Sequence, residues 1–210
     1  MTPLTARFKL DLHDLTTRKL DWDDPIPNEL KPTWKNNFKM MQEMNSIYFK
    51  RCIVPNDAES LTIETIDTGD ASPQLAYSAI YSRIKKRDGD YYCQLLFARS
   101  KILPDRIIQP RAEMIAALLN VYTSEVVKRS LGGLHKSSVK LCDSQVVLHW
   151  IGNEGKPLKQ WVRNRVIEIR RFISPTDWYC VTSKQMIADL GTRRGCSIED
   201  IYGFRLDQRI

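Results

Sequence analysis

Between residues 61 and 98 the chain carries three strand-like runs in succession, joined only by short links. Residues 61–66, 76–84 and 91–98 are rich in Ile, Leu, Tyr and Phe, and such runs bounded by turn residues read as strands. The second link, Lys85-Lys86-Arg87-Asp88-Gly89-Asp90, holds the Asp-Gly pair of a hairpin. Three neighbouring strands on short links predict an antiparallel meander. An all-helical fold is excluded.

Helical spacing takes over next. Pro110 suits a first helical turn, and Ile115, Leu118, Leu119, Tyr122 and Val126 follow at helical intervals until Gly132-Gly133 end the run. Residues 139–142 predict a short strand ending at Asp143. Leu158, Trp161, Val162, Arg165, Val166, Ile169 and Phe172 mark an amphipathic helix. Residues 178–181 predict a last strand and 186–194 a last short helix. The order βββαβαβα describes an α/β domain over residues 61–196, a mixed five-stranded sheet with helices on its faces.

Residues 1–60 read differently. Leu10, Leu12, Leu15 and Leu20 suggest a helix ended by Asp21-Trp22-Asp23-Asp24-Pro25. A second helix is expected from Pro32 to about Tyr48, with Trp34, Phe38, Met41 and Met44 or Asn45 along one stripe, Met40, Met41 and Met44 serving as packing residues. This is a helical lead-in that packs on something else. Residues 197–210 form a tail.

Five cysteines without a CxxC pair, and three histidines far from any matching cysteine pattern, argue against a zinc site or a disulfide framework. Reduced thiols place the chain in cytosol or nucleus. No apolar run reaches membrane-spanning length. A net charge of +7 favours a polyanionic partner.

Four carboxylates fall at element ends in this scheme: Asp70 after strand one, Glu113 in the first turn of the long helix, Asp143 after strand four, and Asp189 on the last helix. Ligand sites in open α/β sheets gather beyond the carboxyl ends of strands. Converging acids repel unless a cation intervenes. Oxygen-only ligands select Mg²⁺ or Mn²⁺, and two such ions about 3.5–4 Å apart can activate water and steady a leaving oxygen in phosphodiester cleavage.

Asp70-Ala71-Ser72 with Ala76-Tyr77 resembles the first catalytic strand of the BEL/Pao retrotransposon ribonuclease H-like region. Ala98-Arg99-Ser100-Lys101, then Pro110-Arg111-Ala112-Glu113-Met114, is similar to that family's third strand and helix start. Asp143-Ser144 with Val147 and Trp150 resembles its aspartate-serine turn. Asn164-Arg165-Val166, Glu168-Ile169 and Ala188-Asp189-Leu190 follow in order, and Lys19-Leu20-Asp21-Trp22-Asp23-Asp24-Pro25 with Arg51-Cys52 resembles the connection after reverse transcriptase. The resemblance implies an endonuclease cutting the RNA strand of RNA/DNA hybrids, released from a polyprotein with reverse transcriptase upstream. It implies that Asp70 and Asp143 ligate metal, that Glu113 binds one ion and helps position water, and that Asp189 completes the second ion's shell. The chain departs from the pattern at Ser78, where a glycine is expected, at Gln185-Met186-Ile187, where Glu-Asn-Pro is usual, and in having no histidine between Cys180 and Asp189.

Two other readings compete. One is a relic or domesticated nucleic-acid-binding module that keeps the fold without cleavage. The other is an aspartic protease built on Asp67-Thr68-Gly69, against which the long helices argue. The cations Lys156, Lys159, Arg163 and Arg170 suit either a solvated helix face or a grip on the phosphates of the hybrid. Trp150 and Trp161 fit the core better than base stacking.

Overall fold

The computed structural model describes residues 2–46, 48 and 51–192. The sheet holds β1 (Ile63–Ala71), β2 (Leu75–Lys85), β3 (Tyr91–Ile102), β4 (His135–Cys142) and β5 (Trp178–Cys180) in the order β3-β2-β1-β4-β5. β1, β2 and β3 pair antiparallel, while β4 and β5 add in parallel beside β1. The sheet is therefore mixed and five-stranded, as the pattern of runs predicts. The hairpin link spans residues 86–90, where Gly89 takes φ +94 and Asp88 accepts from the Asp90 amide.

The long helix α3 (Gln109–Leu131) crosses one face of the sheet and stops where Gly132 turns to φ +55. Its buried stripe matches the predicted one in part: Leu119 goes inward, and Ile115 and Leu118 pack partly buried on the core. Ala112, Ala116, Ala117, Asn120, Thr123 and Ser124 go inward with Met114, Val121 and Val127, whereas Tyr122 and Val126 stay 39% and 46% exposed. Small side chains let the helix lie close to the strands. A Cβ on Gly69 of β1 would sit 3.0 Å from the Ala116 carbonyl oxygen and 3.1 Å from Asn120 Cβ, so only glycine fits there without movement. Tyr122 instead reaches sideways, its hydroxyl donating to Glu168 and its ring meeting Phe172 edge-on.

A helix absent from the sequence reading, α4 (Gln145–Ile151), follows β4 directly. Ser144 caps it, accepting from the Val147 amide at 3.3 Å. With α5 (Gln160–Arg170) it closes the main core, where Met114, Val121, Cys142, Val147, Ile151, Val162, Val166 and Ile169 meet. Trp150 and Trp161 flank that core, half-buried.

The opposite face is covered by α6 (Asp189–Thr192) and by the lead-in. Met186 and Ala188 pack on Tyr77 and Ala79. Ala6 and Leu10 of α1 (Thr2–Thr17) pack on Leu75 with Ile102, and Lys9 Nζ donates to the Ser100 carbonyl. The lead-in thus rests on the sheet. In α2 (Lys31–Glu43) and the 3₁₀ turn after it, the buried stripe is Asn37, Met40 and Met44, with Asn37 donating to Asp11 at 2.7 Å. Trp34 and Phe38 meet the Phe8 ring edge-on, leaving Phe38 and Met41 about half exposed, so this aromatic cluster and the small Met40–Met44 core together hold the helices. The predicted end of the last helix at 193–194, Cys196 and the 197–210 tail lie outside the described residues. Among those described, no helix is long and apolar enough to cross a membrane.

Candidate active site

β1 and β4 run side by side in the same direction, so their carboxyl ends open at one edge of the sheet. Asp70 is the penultimate residue of β1 and Asp143 follows the last residue of β4. Glu113 lies one turn inside α3, past the first turn where the sequence placed it. Asp189 opens α6.

Alternation along β1 decides the directions. Asp67, Gly69 and Ala71 face α3, so Asp70 faces α6. Thr192 Oγ1 donates to Asp70 Oδ2 at 2.7 Å. Glu113 comes from the other face, receiving Ser144 Oγ on Oε2 at 2.6 Å and Gln109 Nε2 on Oε1 at 3.1 Å. The same Gln109 amide donates to the Ala71 carbonyl at 2.9 Å, tying helix start to strand end. Ser183, in the β5–α6 connection, donates to Asp143 Oδ2 at 2.9 Å. This serine stands in the stretch from which a histidine is missing.

Burial pushes the Asp70 carboxyl upward, and the charges of Asp143 and Asp189 push the same way. The Cys142 thiol, pushed up to about 12 chiefly by burial, is opposed further by Asp143 and Glu113. The fold has therefore drawn the acids into one another's fields. It has not assembled them into a ready ligand set: among the described residues no three His, Cys, Asp or Glu side chains are grouped closely enough to hold one metal ion. Glu113 approaches from one face and Asp70 from the other, and three of the like charges take a hydroxyl donor within reach.

The other predicted residues divide. Lys156, Lys159 and Arg163 are exposed, but Lys156 precedes α5 and Lys159 is its capping residue, so the cations do not share one helix face. Arg170 is structural: its guanidinium donates to the Ile151 carbonyl at 2.5 and 2.9 Å and to the Asn153 carbonyl at 2.8 Å, closing the end of α4. Asp67 sits inside β1, fully buried against Lys140 and Ser124, with no turn around it. The protease reading fails on that geometry. Ser78 is buried and accepts from Asn120 Nδ2 at 3.2 Å, so the departure from glycine is matched by a helix partner. Sequence reading missed Ser183, Thr192 and Gln109; only Ser144, one residue after Asp143, carried a local signal as a helix cap. A separate cavity of about 320 Å³ opens at the far end of β4, among Lys128, His135, Lys136, Ser138 and Lys140, away from the acids.

A five-stranded sheet of this order, with helices on both faces and acids at the ends of adjacent parallel strands, defines an α/β domain of ribonuclease H-like architecture. Residues 1–144 match the Pao retrotransposon-like RNaseH-like domain, and the chain belongs to this family. The match contains Asp70, Glu113 and Asp143 and ends before Asp189. No curated protein sequence matches the chain. Solved structures of similar fold include the N-terminal ribonuclease H domain of a Mycobacterium tuberculosis protein fused to maltose-binding protein, 12% identical over 60% of this chain and 86% of that one, TM-score 0.39. Ribonuclease H1 of Halobacterium salinarum is 14% identical over 68% and 99% of the two chains, TM-score 0.37. A foamy virus protease-reverse transcriptase bound to double-stranded DNA is 10% identical over 75% of this chain and 31% of that one, TM-score 0.41.

Proposed function

We propose that this domain is a metal-dependent endonuclease that cleaves the RNA strand of RNA/DNA hybrids, as part of a retrotransposon polyprotein with reverse transcriptase upstream, in the cytosol or nucleus. The observation that carries the reading is Asp70, half-buried at a strand end, its carboxyl pushed toward the neutral form chiefly by burial and further by the charges of Asp143 and Asp189. Acids placed to oppose one another are the residues whose burden a divalent cation relieves, and their donor atoms are all oxygens, which suits Mg²⁺ or Mn²⁺. Asp70, Asp143, Asp189 and Glu113 would hold two ions, which when bound supply a water nucleophile and stabilise the leaving oxygen.

The chain's own residues prepare that chemistry. Gln109 fixes the distance between Glu113 and the end of β1 by holding both. Ser144 joins Glu113 to the start of α4, next to Asp143. Thr192 and Ser183 restrain Asp70 and Asp143, and each hydroxyl can turn away when a stronger positive partner arrives.

Cleavage of a labelled RNA/DNA hybrid, with and without Mg²⁺ or Mn²⁺, tests this. We expect cleavage of the RNA strand only, abolished by chelator and by Asp143→Asn. Hybrid binding with no cleavage under either ion would establish the non-catalytic module instead.

A further inference from the structure

The indole of Trp161 carries two guanidinium groups. The Arg165 carbon lies 3.5 Å from the ring centroid and that of Arg111 lies 5.1 Å from it. Arg111 belongs to the first turn of α3, two residues before Glu113, and is exposed. Arg165 is one turn along α5 from Trp161 and donates to the Trp161 carbonyl at 2.9 Å.

This arrangement has a surplus of positive charge. Among the described residues neither arginine has a carboxylate partner. Arg165 Nε is buried without an acceptor. Arg111 also occupies the positive end of a 23-residue helix, where the macrodipole disfavours a cation. Burial and the charge of Arg111 both push Arg165 below its ordinary range. Cation–π contact with the indole offsets part of this. Two planar forks held on one ring, lacking an anion, match the geometry by which guanidinium binds phosphate.

We propose that Arg111 and Arg165, mounted on Trp161, clamp a backbone phosphate of the bound nucleic acid at the start of α3. The clamp rests on the nucleic-acid reading of the acidic site, but it concerns binding and needs no metal. Arg111 faces solvent and makes the first contact; the Trp161 ring holds its guanidinium toward α5, on the ring that Arg165 also covers.

The test is the salt dependence of binding to a fluorescent RNA/DNA hybrid, measured by anisotropy in chelator so that cleavage cannot intervene. Each phosphate contact contributes close to one unit to the slope of log K against log salt. We expect Arg111→Gln to weaken binding about 5-fold near 0.1 M salt and to flatten the slope by about one unit. Trp161→Leu should flatten it as well, although it removes no charge; Arg111→Lys should keep the slope but recover only part of the affinity. Thermal melts of each variant separate lost contact from lost fold. If folded Arg111→Gln binds with the wild-type slope, the clamp is wrong, whether or not the protein cleaves. If the wild type binds with an Arg111-dependent slope yet never cleaves, the clamp stands and the nuclease reading falls. If the wild type does not bind the hybrid, both fall.

Discussion

Lys140 Nζ lies 2.6 Å from Asp67 Oδ2, and both side chains are sealed from solvent between β1, β4 and α3. Ser124 of α3 donates to the same carboxylate oxygen at 2.5 Å. Burial lowers the Lys140 pKa in spite of the pairing, which marks how dry the site is. Removing one partner of such a pair leaves a buried charge uncompensated. We expect Asp67→Asn to cost about 3–5 kcal/mol in denaturant unfolding. The double change Asp67→Leu with Lys140→Met should recover most of that loss. A double variant no more stable than the single one would refute the ion pair's role.

Asp70 ties pH to stability. Its carboxyl is raised by burial first and by Asp143 and Asp189 after it, so the unfolded chain ionises before the folded one. Its contribution is complete below the ordinary value of 3.8 and is lost as pH rises through the raised folded value. In chelator at pH 7, Asp70→Asn should melt at a higher temperature than the wild type, and the gap should close in acid. Mg²⁺ should raise the wild-type Tm by mass action and raise that of Asp70→Asn less. Calorimetry across pH, with and without Mg²⁺, checks both.

Gln109 holds Glu113 and the Ala71 carbonyl at once. It is a positioning residue. Gln109→Leu should reduce cleavage about 10–100-fold, as loss of an outer partner does at metal sites. The Mg²⁺ concentration for half-maximal rate should rise while the Tm changes little. An unchanged Mg²⁺ profile would remove Gln109 from this role.

Gly191 packs against the Tyr77 ring so closely that a Cβ there would run into it. Gly191→Ala should push α6 from the sheet and cost about 1–3 kcal/mol. Thr192 and Asp189 move with α6, so hybrid cleavage should fall further than stability explains. Equal cleavage at temperatures where the variant is folded would contradict that coupling.

Arg170 and Arg163 should separate cleanly. Arg170→Ala removes hydrogen bonds to the Ile151 and Asn153 carbonyls and should lower stability by about 1–3 kcal/mol, leaving the salt slope of hybrid binding intact. Arg163→Ala should leave stability unchanged and flatten the slope.

Strand runs, the Pro110 start and Gly132 stop of α3, and the sites of Asp70, Asp143 and Asp189 were legible because propensity, turn chemistry and spacing are local properties of a chain. The family resemblance was legible for the same reason, as ordered motifs. The inward stripe of α3 was legible only in part, at Leu119, Leu118 and Ile115. Helical spacing favoured Tyr122 and Val126, but the close approach of Gly69 demands Ala116 and Asn120, and that constraint exists only when strand and helix meet. Asp67 shows the same limit: three residues that mimic a protease turn are strand interior once Lys140 arrives from β4. The hydroxyls on the acids and the guanidiniums on Trp161 come from residues up to 122 positions apart, as Thr192 and Asp70 are. Sequence fixes what each segment can form, because those preferences act over a few residues. Only the packed sheet decides which charges must share a space, because electrostatic cost depends on distance and burial that no single segment contains.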